Sequence, residues 1–240
     1  ENVYEILDFV DKIMKAFNFS YEMEISTKPQ KAVGDDSVWE IATNALKDAL
    51  DEKGLKYGID EGGGAFYGPK IDIKITDALK RKWQCGTVQI DFNLPARFEL
   101  EYTDENNEKK QPVMIHRAIL GSFERFIGIL LEHTAGELPF WIAHTQIAIV
   151  PISDAHNSYA KQIADKLLDL GADSVIFNRN ETLNKRIRNA EKEHVPLILV
   201  LGDNELENKS VAVRDRMNKT QYNLNLEEFY KMIQSKLNEV

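Results

Sequence analysis

The spacing of hydrophobic segments changes once along the chain, near residue 143, and this change constrains the fold most. Before it, four strand-like runs follow one another, which is typical of an antiparallel sheet in an α+β domain. These runs are 71–75, 83–92, 97–102 and 112–116. After it, strand-like and helix-like segments alternate, which is typical of parallel pairing. We therefore predict an α+β domain over residues 1–143, followed over residues 144–240 by a small α/β domain with a mixed, largely parallel sheet.

Hydrophobic periodicity predicts the other elements. Apolar residues at helical spacing indicate helices, and short apolar runs bounded by turn residues indicate further strands. The predicted helices are 3–17, 37–53, 122–133, 155–170, 183–193 and 226–237, and the further strands are 21–26, 146–151, 174–177, 196–201 and 210–214.

The composition excludes several classes of protein. No apolar run approaches the roughly 18 to 20 residues of a membrane span, so we expect no membrane partner. The single cysteine, Cys85, excludes an internal disulfide and fits a reducing compartment. The sequence begins at Glu1 without a methionine and without a signal-like segment. We expect a cytoplasmic protein of which this chain is a piece.

Charge is distributed unevenly. Residues 1–143 hold 17 Lys and Arg against 25 Asp and Glu, whereas residues 144–240 hold 13 against 14. The second part has two basic clusters, within 185–192 and 214–219. A solvated protein face explains such clusters, and so does a surface that contacts RNA phosphates. Charge alone leaves both explanations open.

Residues 62–70 form a glycine-rich segment. Its spacing differs from the P-loop pattern, and no helix opens directly after it as in a dinucleotide-binding fingerprint. Glycines allow the backbone to approach a ligand closely, and Tyr67 and Lys70 lie beside them. A plain flexible loop explains the same pattern.

Residues 83–92 predict a strand with polar side chains on both faces. Strict alternation places Gln84 on one face and Thr87 and Gln89 on the other. Such neutral hydrogen-bonding groups suit a nucleobase or a small polar ligand. A solvent-exposed strand face is the alternative.

The segment 113–125 predicts a strand ending in His116, a turn, and a helix with Ser122 as its N-cap. Arg125 then lies in the first helical turn, where its charge opposes the helix dipole. A local conflict of this kind is typical of a functional residue, and a guanidinium suits a polyphosphate. His116 cannot form a zinc site by itself, because zinc takes three or four ligands.

Three blocks of the sequence, 64–70, 84–92 and 113–125, resemble the catalytic core of the bacterial threonyl-tRNA synthetase family, which belongs to the class II aminoacyl-tRNA synthetases. The part from Pro151 onward resembles the anticodon-binding domain of the same family. Its matching motifs are 179–181, 195–196 and 202–214. The resemblance covers essentially the whole chain in long, gapless motifs. It implies an antiparallel catalytic sheet, ATP-dependent activation of threonine with Mg²⁺, transfer to threonine tRNA, and a homodimeric intact enzyme.

The resemblance also implies roles for single residues. Arg125 would hold the ATP γ-phosphate, and Gln84 and Thr87 would lie at the nucleotide. Tyr67, Lys70 and Gln89 would lie near the threonine and the adenylate. His116 would be one of three protein ligands of a zinc ion that binds the amino and hydroxyl groups of threonine. In the second domain, the positions that recognise anticodon bases are Asn180, Glu205 and Arg214.

Several parts of the family are not in this sequence. These are motif 1, which builds the dimer interface, motif 2, whose arginine holds the α-phosphate, the other two zinc ligands, and the editing domain. Cys85 does not occupy the position of the zinc cysteine, and His194 stands where the family commonly has an arginine. We therefore expect a fragment that is inactive alone, with zinc weakly bound or absent.

Two other functions compete with a threonine–tRNA ligase fragment. One is a synthetase-like module that binds tRNA without catalysis, and the other is a class II synthetase of the prolyl or glycyl type. Retention of His116 and Arg125 favours an enzyme over a binding module. The position of His116, ahead of the motif 3 helix, argues against the prolyl and glycyl types.

Overall fold

The computed structural model describes residues 2–178 and 180–238. The chain divides into two compact units, one ending at Ile129 and the other beginning at Leu130. Each unit has its own central sheet.

The first unit is an α+β arrangement, as predicted. The elements are α1 (Asn2–Ala16), β1 (Tyr21–Ser26), α2 (Asp36–Glu52), β2 (Tyr57–Asp60), β3 (Lys70–Thr76), β4 (Lys82–Asp91), α3 (Asn93–Arg97), β5 (Tyr102–Thr103), β6 (Lys109–Lys110), β7 (Met114–Ala118) and α4 (Phe123–Thr134), which continues past Ile129. The five-stranded sheet has the order β2-β1-β3-β4-β7, and the β1–β2 pair is parallel whereas the other three pairs are antiparallel.

One face of this sheet is apolar. Ile71, Ile73 and Ile75 alternate along β3 and are fully buried. Helices α1 and α2 pack on each other, and α2 contacts β1 and β3 with an apolar stripe that includes Leu46 and Leu50. Burying these side chains leaves the opposite face of the sheet for polar groups.

The second unit consists of β8 (Ile147–Pro151), α5 (Asn157–Asp169), β9 (Ser174–Ile176), α6 (Leu183–Lys192), β10 (Leu197–Leu201), α7 (Asp203–Asn208), β11 (Ser210–Asp215), β12 (Thr220–Asn225) and α8 (Leu226–Leu237). Its strands form a mixed sheet with the order β12-β11-β10-β8-β9. The β8–β9 and β8–β10 pairs are parallel, and the β10–β11 and β11–β12 pairs are antiparallel. The proportion of parallel pairs is therefore smaller than predicted, because β12 was not predicted from the sequence.

The predicted strand 97–102 was wrong. The Asp91 carboxylate accepts the backbone amides of Asn93 at 2.8 Å and Leu94 at 3.0 Å, which starts the short helix α3 instead. The extended residues that follow are limited to the two-residue strands β5 and β6. β2 and α7 were also missed, since each is short and lies beside glycine.

The glycine-rich segment approaches the protein's own backbone. A Cβ atom on Gly64 would lie 2.4 Å from the Thr27 carbonyl oxygen, and one on Gly68 would lie 1.8 Å from the Ile90 carbonyl oxygen. Close approach was expected, but toward a ligand. The glycines instead allow this loop to pack against the ends of β1 and β4.

Replacing Gly68 by alanine is therefore expected to destabilise the chain by about 2 to 3 kcal/mol, because the added methyl group collides with a backbone atom that cannot move away freely. Urea unfolding midpoints measure the effect. Gly128→Ala is the matched control, since a Cβ there has nothing within 4 Å and lies in α4. Equal midpoints for Gly68→Ala and the unmodified chain would contradict this account.

Candidate active site and nucleic-acid interface

Polar side chains from three strands share one face of the first sheet. On β3, Lys70 and Asp72 lie opposite Gln89 and Thr87 of β4. Gln89 in turn lies opposite His116 of β7. Directly opposed residues of antiparallel strands project to the same side, so the sheet brings these groups together.

A β-bulge adds Gln84 to the same face. Gly86 lies opposite Ile73 while Gln84 lies opposite Lys74, so the register shifts and Cys85 is the extra residue. The alternation predicted from sequence was therefore wrong for Gln84, which joins Thr87 instead of facing away from it.

Asp72 organises this face. Asp72 is 3% exposed, and its carboxylate accepts hydrogen bonds from Gln84 Nε2 at 2.5 Å and from the buried Ser26 hydroxyl at 3.1 Å. It also forms an ion pair with the Lys70 ammonium. One buried carboxylate thus holds a lysine and an amide in place. Asp72 was not predicted as a site residue, although its spacing of two residues from Lys70 was a signal for a shared face of the strand.

Two hydroxyl groups border this network. The Tyr67 hydroxyl donates to Gln89 Oε1, and burial, followed by the nearby Asp91 carboxylate, raises the tyrosine pKa. Tyr67 therefore remains a hydrogen-bond donor at neutral pH. In the part of the chain that the structure describes, the buried Thr87 hydroxyl has no hydrogen-bond partner. An unpaired buried hydroxyl is costly unless a ligand satisfies it.

His116 is held by an acidic neighbour. Its Nε2 lies 2.8 Å from Asp91 Oδ2. Burial raises the pKa of Asp91, but hydrogen bonds from the Leu94 amide, His116 and the Asn93 amide outweigh it, so the pKa lies below its usual value. The carboxylate is therefore ionised, and it accepts a hydrogen bond from the Nε2–H group of the imidazole.

A zinc ion does not fit these residues alone. Across residues 2–178 and 180–238, no group of three His, Cys, Asp or Glu side chains is arranged to hold a metal. Of the three zinc ligands that the family resemblance implies, only His116 is in this sequence, and its role in zinc binding stays a prediction.

Arg125 reaches this site from α4. The Ser122 hydroxyl accepts the Arg125 backbone amide at 3.3 Å, which confirms the predicted N-cap. Gly121 has a φ of 68°, and a Cβ there would lie 3.1 Å from Arg125 Nη2. The guanidinium donates from Nη2 to the Gln84 carbonyl oxygen at 2.7 Å. The turn thus places a cation beside the bulge of β4.

The predicted anticodon residues all lie in the second unit, in different surroundings. Asn180 is exposed after β9 and lines a cavity of about 550 Å³. Glu205 lies in α7, where its Oε2 accepts the Gly202 amide at 2.8 Å. Arg214 lies on β11 and lines another cavity, of about 310 Å³. Arg179, from the same motif as Asn180, lies outside the described residues.

One arginine from each basic cluster has partners within the protein. Arg186 is 7% exposed, and its Nη1 donates to the carbonyl oxygens of Pro151 and Phe177. Arg216 Nη2 lies 3.0 Å from Glu137 Oε1. These arginines support the fold of the second unit, so the sequence cluster overstated the charge available to RNA.

The two units match two known families in chain order. The model described as tRNA synthetase class II core domain (G, H, P, S and T) matches residues 1–134. The model described as anticodon binding domain matches residues 146–236. The chain belongs to the class II tRNA synthetase core family and carries an anticodon-binding domain.

Individual relatives indicate which type of class II synthetase the chain is similar to. The chain is 75% identical to a threonine–tRNA ligase from Campylobacter hominis and 74% identical to one from Campylobacter lari, in each case over all 240 residues. It spans 39% and 40% of their lengths. It also resembles the crystal structure of the RNA binding domain of threonyl-tRNA synthetase from Cryptosporidium parvum Iowa II. There the TM-score is 0.92 with 41% identity, over 98% of this chain and 60% of that one.

Among the helices of residues 2–178 and 180–238, none is both long enough and apolar enough to cross a membrane.

Proposed function

We propose that the chain is part of a threonine–tRNA ligase, which activates threonine with ATP and transfers it to the 3′ end of threonine tRNA. The observation that supports this proposal is the polar face of the first sheet, where Asp72 holds Lys70 and Gln84 beside the unpaired Thr87 hydroxyl. A preorganised set of donors and cations in one place is what an adenylate-forming site requires.

In this proposal Arg125 contacts the ATP γ-phosphate and balances the charge that develops as pyrophosphate leaves. Its Nη2 bond to the Gln84 carbonyl leaves other guanidinium donors for phosphate oxygens. Gln84 and Thr87 bind the nucleotide, and Mg²⁺ accompanies the phosphates. Lys70 supplies a second positive charge near the adenylate.

Threonine lies toward Tyr67, Gln89 and His116. The Tyr67 and His116 rings are in edge contact, with centroids 6.0 Å apart, and Tyr67 is hydrogen-bonded to Gln89. Because Asp91 accepts from His116 Nε2, the Nδ1 lone pair is available to a ligand. In the intact enzyme that ligand would be zinc, with the other ligands supplied from outside this chain, and zinc would orient the amino and hydroxyl groups of threonine.

The second domain, taken as residues 144–240, would bind the anticodon through Asn180, Glu205 and Arg214. Base edges and stacking supply sequence specificity in single-stranded RNA. We place the intact protein in the cytoplasm as a homodimer. Because the chain spans about 40% of its curated relatives, we propose that it is inactive when expressed alone.

The test is ATP–pyrophosphate exchange by the full-length protein that contains this chain. Exchange should depend on threonine and should not occur with proline or glycine, and the isolated 240-residue chain should show none. Proline- or glycine-dependent exchange would identify a different class II synthetase. Tight threonine tRNA binding without any exchange would favour a non-catalytic binding module.

A further inference from the structure

The β11–β12 part of the second sheet carries polar side chains on the face that points away from α5 and α8. Strand β11 places Val211 and Val213 in the core beneath α5 and α8. Alternation puts Ala212 and Arg214 on the opposite face. Helix α6 packs on that opposite face farther along the sheet, in a cluster that includes Ala148 and Ile198.

Neighbouring polar groups on β12 complete this surface. Gln221 lies directly opposite Arg214, and Asn223 lies directly opposite Ala212. Both β12 side chains are exposed, whereas Tyr222 between them turns toward the core. Arg214, Gln221 and Asn223 thus form one row around a cavity of about 310 Å³.

The groups in this row have unused hydrogen-bonding capacity. Within residues 2–178 and 180–238, the side chains of Arg214, Gln221 and Asn223 form no hydrogen bond or ion pair. By contrast, Arg216 on the adjoining turn is paired with Glu137. A half-buried guanidinium beside two free amides offers several donors and two acceptors at fixed spacing.

The floor of the cavity suits a flat ring. Val200 and Ala212 lie opposite each other and line the cavity beneath the polar row. Their small apolar side chains leave room for a planar group, while the polar row lies at its edge. An unpaired nucleobase has this combination of an apolar face and a hydrogen-bonding edge.

We propose that Gln221 and Asn223, together with Arg214, determine which anticodon base the protein accepts. The three side chains form hydrogen bonds with the edge of one unpaired base, whose ring lies on Val200 and Ala212. The assignment rests on the proposed function, because it takes the occupant to be the anticodon loop of tRNA. Of these three residues, only Arg214 was predicted from the sequence to contact the anticodon. Gln221 and Asn223 lie on β12, a strand that was not predicted.

The test uses the full-length protein and aminoacylation of threonine tRNA transcripts. Gln221→Ala and Asn223→Ala should each lower kcat/KM for tRNA about fivefold, as expected for loss of a neutral hydrogen bond. Threonine-dependent ATP–pyrophosphate exchange should stay unchanged. With transcripts altered at single anticodon bases, the penalty at one position should shrink in both variants, which a general loss of structure would not produce.

Two further variants sharpen the test. Ala212→Leu fills the floor while keeping every polar group, and it should lower kcat/KM for tRNA by about tenfold or more. Gln162→Ala is the matched control, because this exposed glutamine lies on α5, on the other side of the sheet. It should leave both aminoacylation and exchange unchanged.

The outcomes separate this inference from the proposed function. If Arg214→Ala lowers tRNA charging but Gln221→Ala and Asn223→Ala do not, the inference is overturned and the ligase function stands. If the unmodified protein charges threonine tRNA and Arg214→Ala leaves kcat/KM for tRNA unchanged, this cavity does not bind the anticodon and the inference is overturned. If the unmodified protein does not charge threonine tRNA, the proposed function itself is overturned.

Discussion

Replacing Arg125 by alanine in the full-length protein is expected to lower threonine-dependent ATP–pyrophosphate exchange by about 10²- to 10³-fold. This is the usual loss when one preorganised donor to developing charge is removed. The guanidinium is already fixed by its bond to the Gln84 carbonyl and by the Ser122-capped turn. Little reorganisation is therefore needed when phosphate oxygens arrive. Initial rates at varied ATP concentration measure the effect.

Two substitutions control for this result. Arg125→Lys keeps the charge but loses the fork of donors, so it should recover part of the rate. Arg117→Ala removes an exposed arginine of β7 that lies opposite Val88, on the other face of the sheet, with its guanidinium 5.6 Å from the Phe9 ring centroid. Its exchange rate should match that of the unmodified protein. Equal losses for the Arg117 and Arg125 variants would show a structural effect and not a contact with ATP.

Much of the fold could be predicted from residue patterns because its signals are local. The apolar alternation of β3 and the helical stripe of α2 each indicate one element and one buried face. The N-cap at Ser122 was equally local, since the acceptor and the amide belong to the same turn.

The features that sequence patterns did not predict depend on contacts distant in the chain. The bulge at Cys85 exists because β4 changes register against β3, and this changes the face of Gln84. Glycine is required at position 68 because the Ile90 carbonyl, 22 residues away in the chain, lies against it. The alternation of apolar and polar residues along a strand does not indicate this contact. β12 was missed because its alternating residues include three asparagine or glutamine side chains, which are uncommon in strands.

Replacing Asp72 by alanine in the full-length protein should lower the exchange rate about 100-fold, mainly in kcat, because a displacement of roughly 1 Å at a reacting group has this effect. Asp72 is a positioning residue, acting through the Lys70 ammonium and Gln84 Nε2.

Asp72→Asn keeps an acceptor for Gln84 but loses the charge that holds Lys70, so it separates the two contributions. Glu24→Gln is the matched control, since it breaks the Lys74–Glu24 ion pair one strand farther from Thr87 on the same face. If Glu24→Gln and Asp72→Asn lower kcat equally, or if Asp72→Glu recovers none of the activity of a folded protein, Asp72 contributes to the sheet and not to the placement of Lys70.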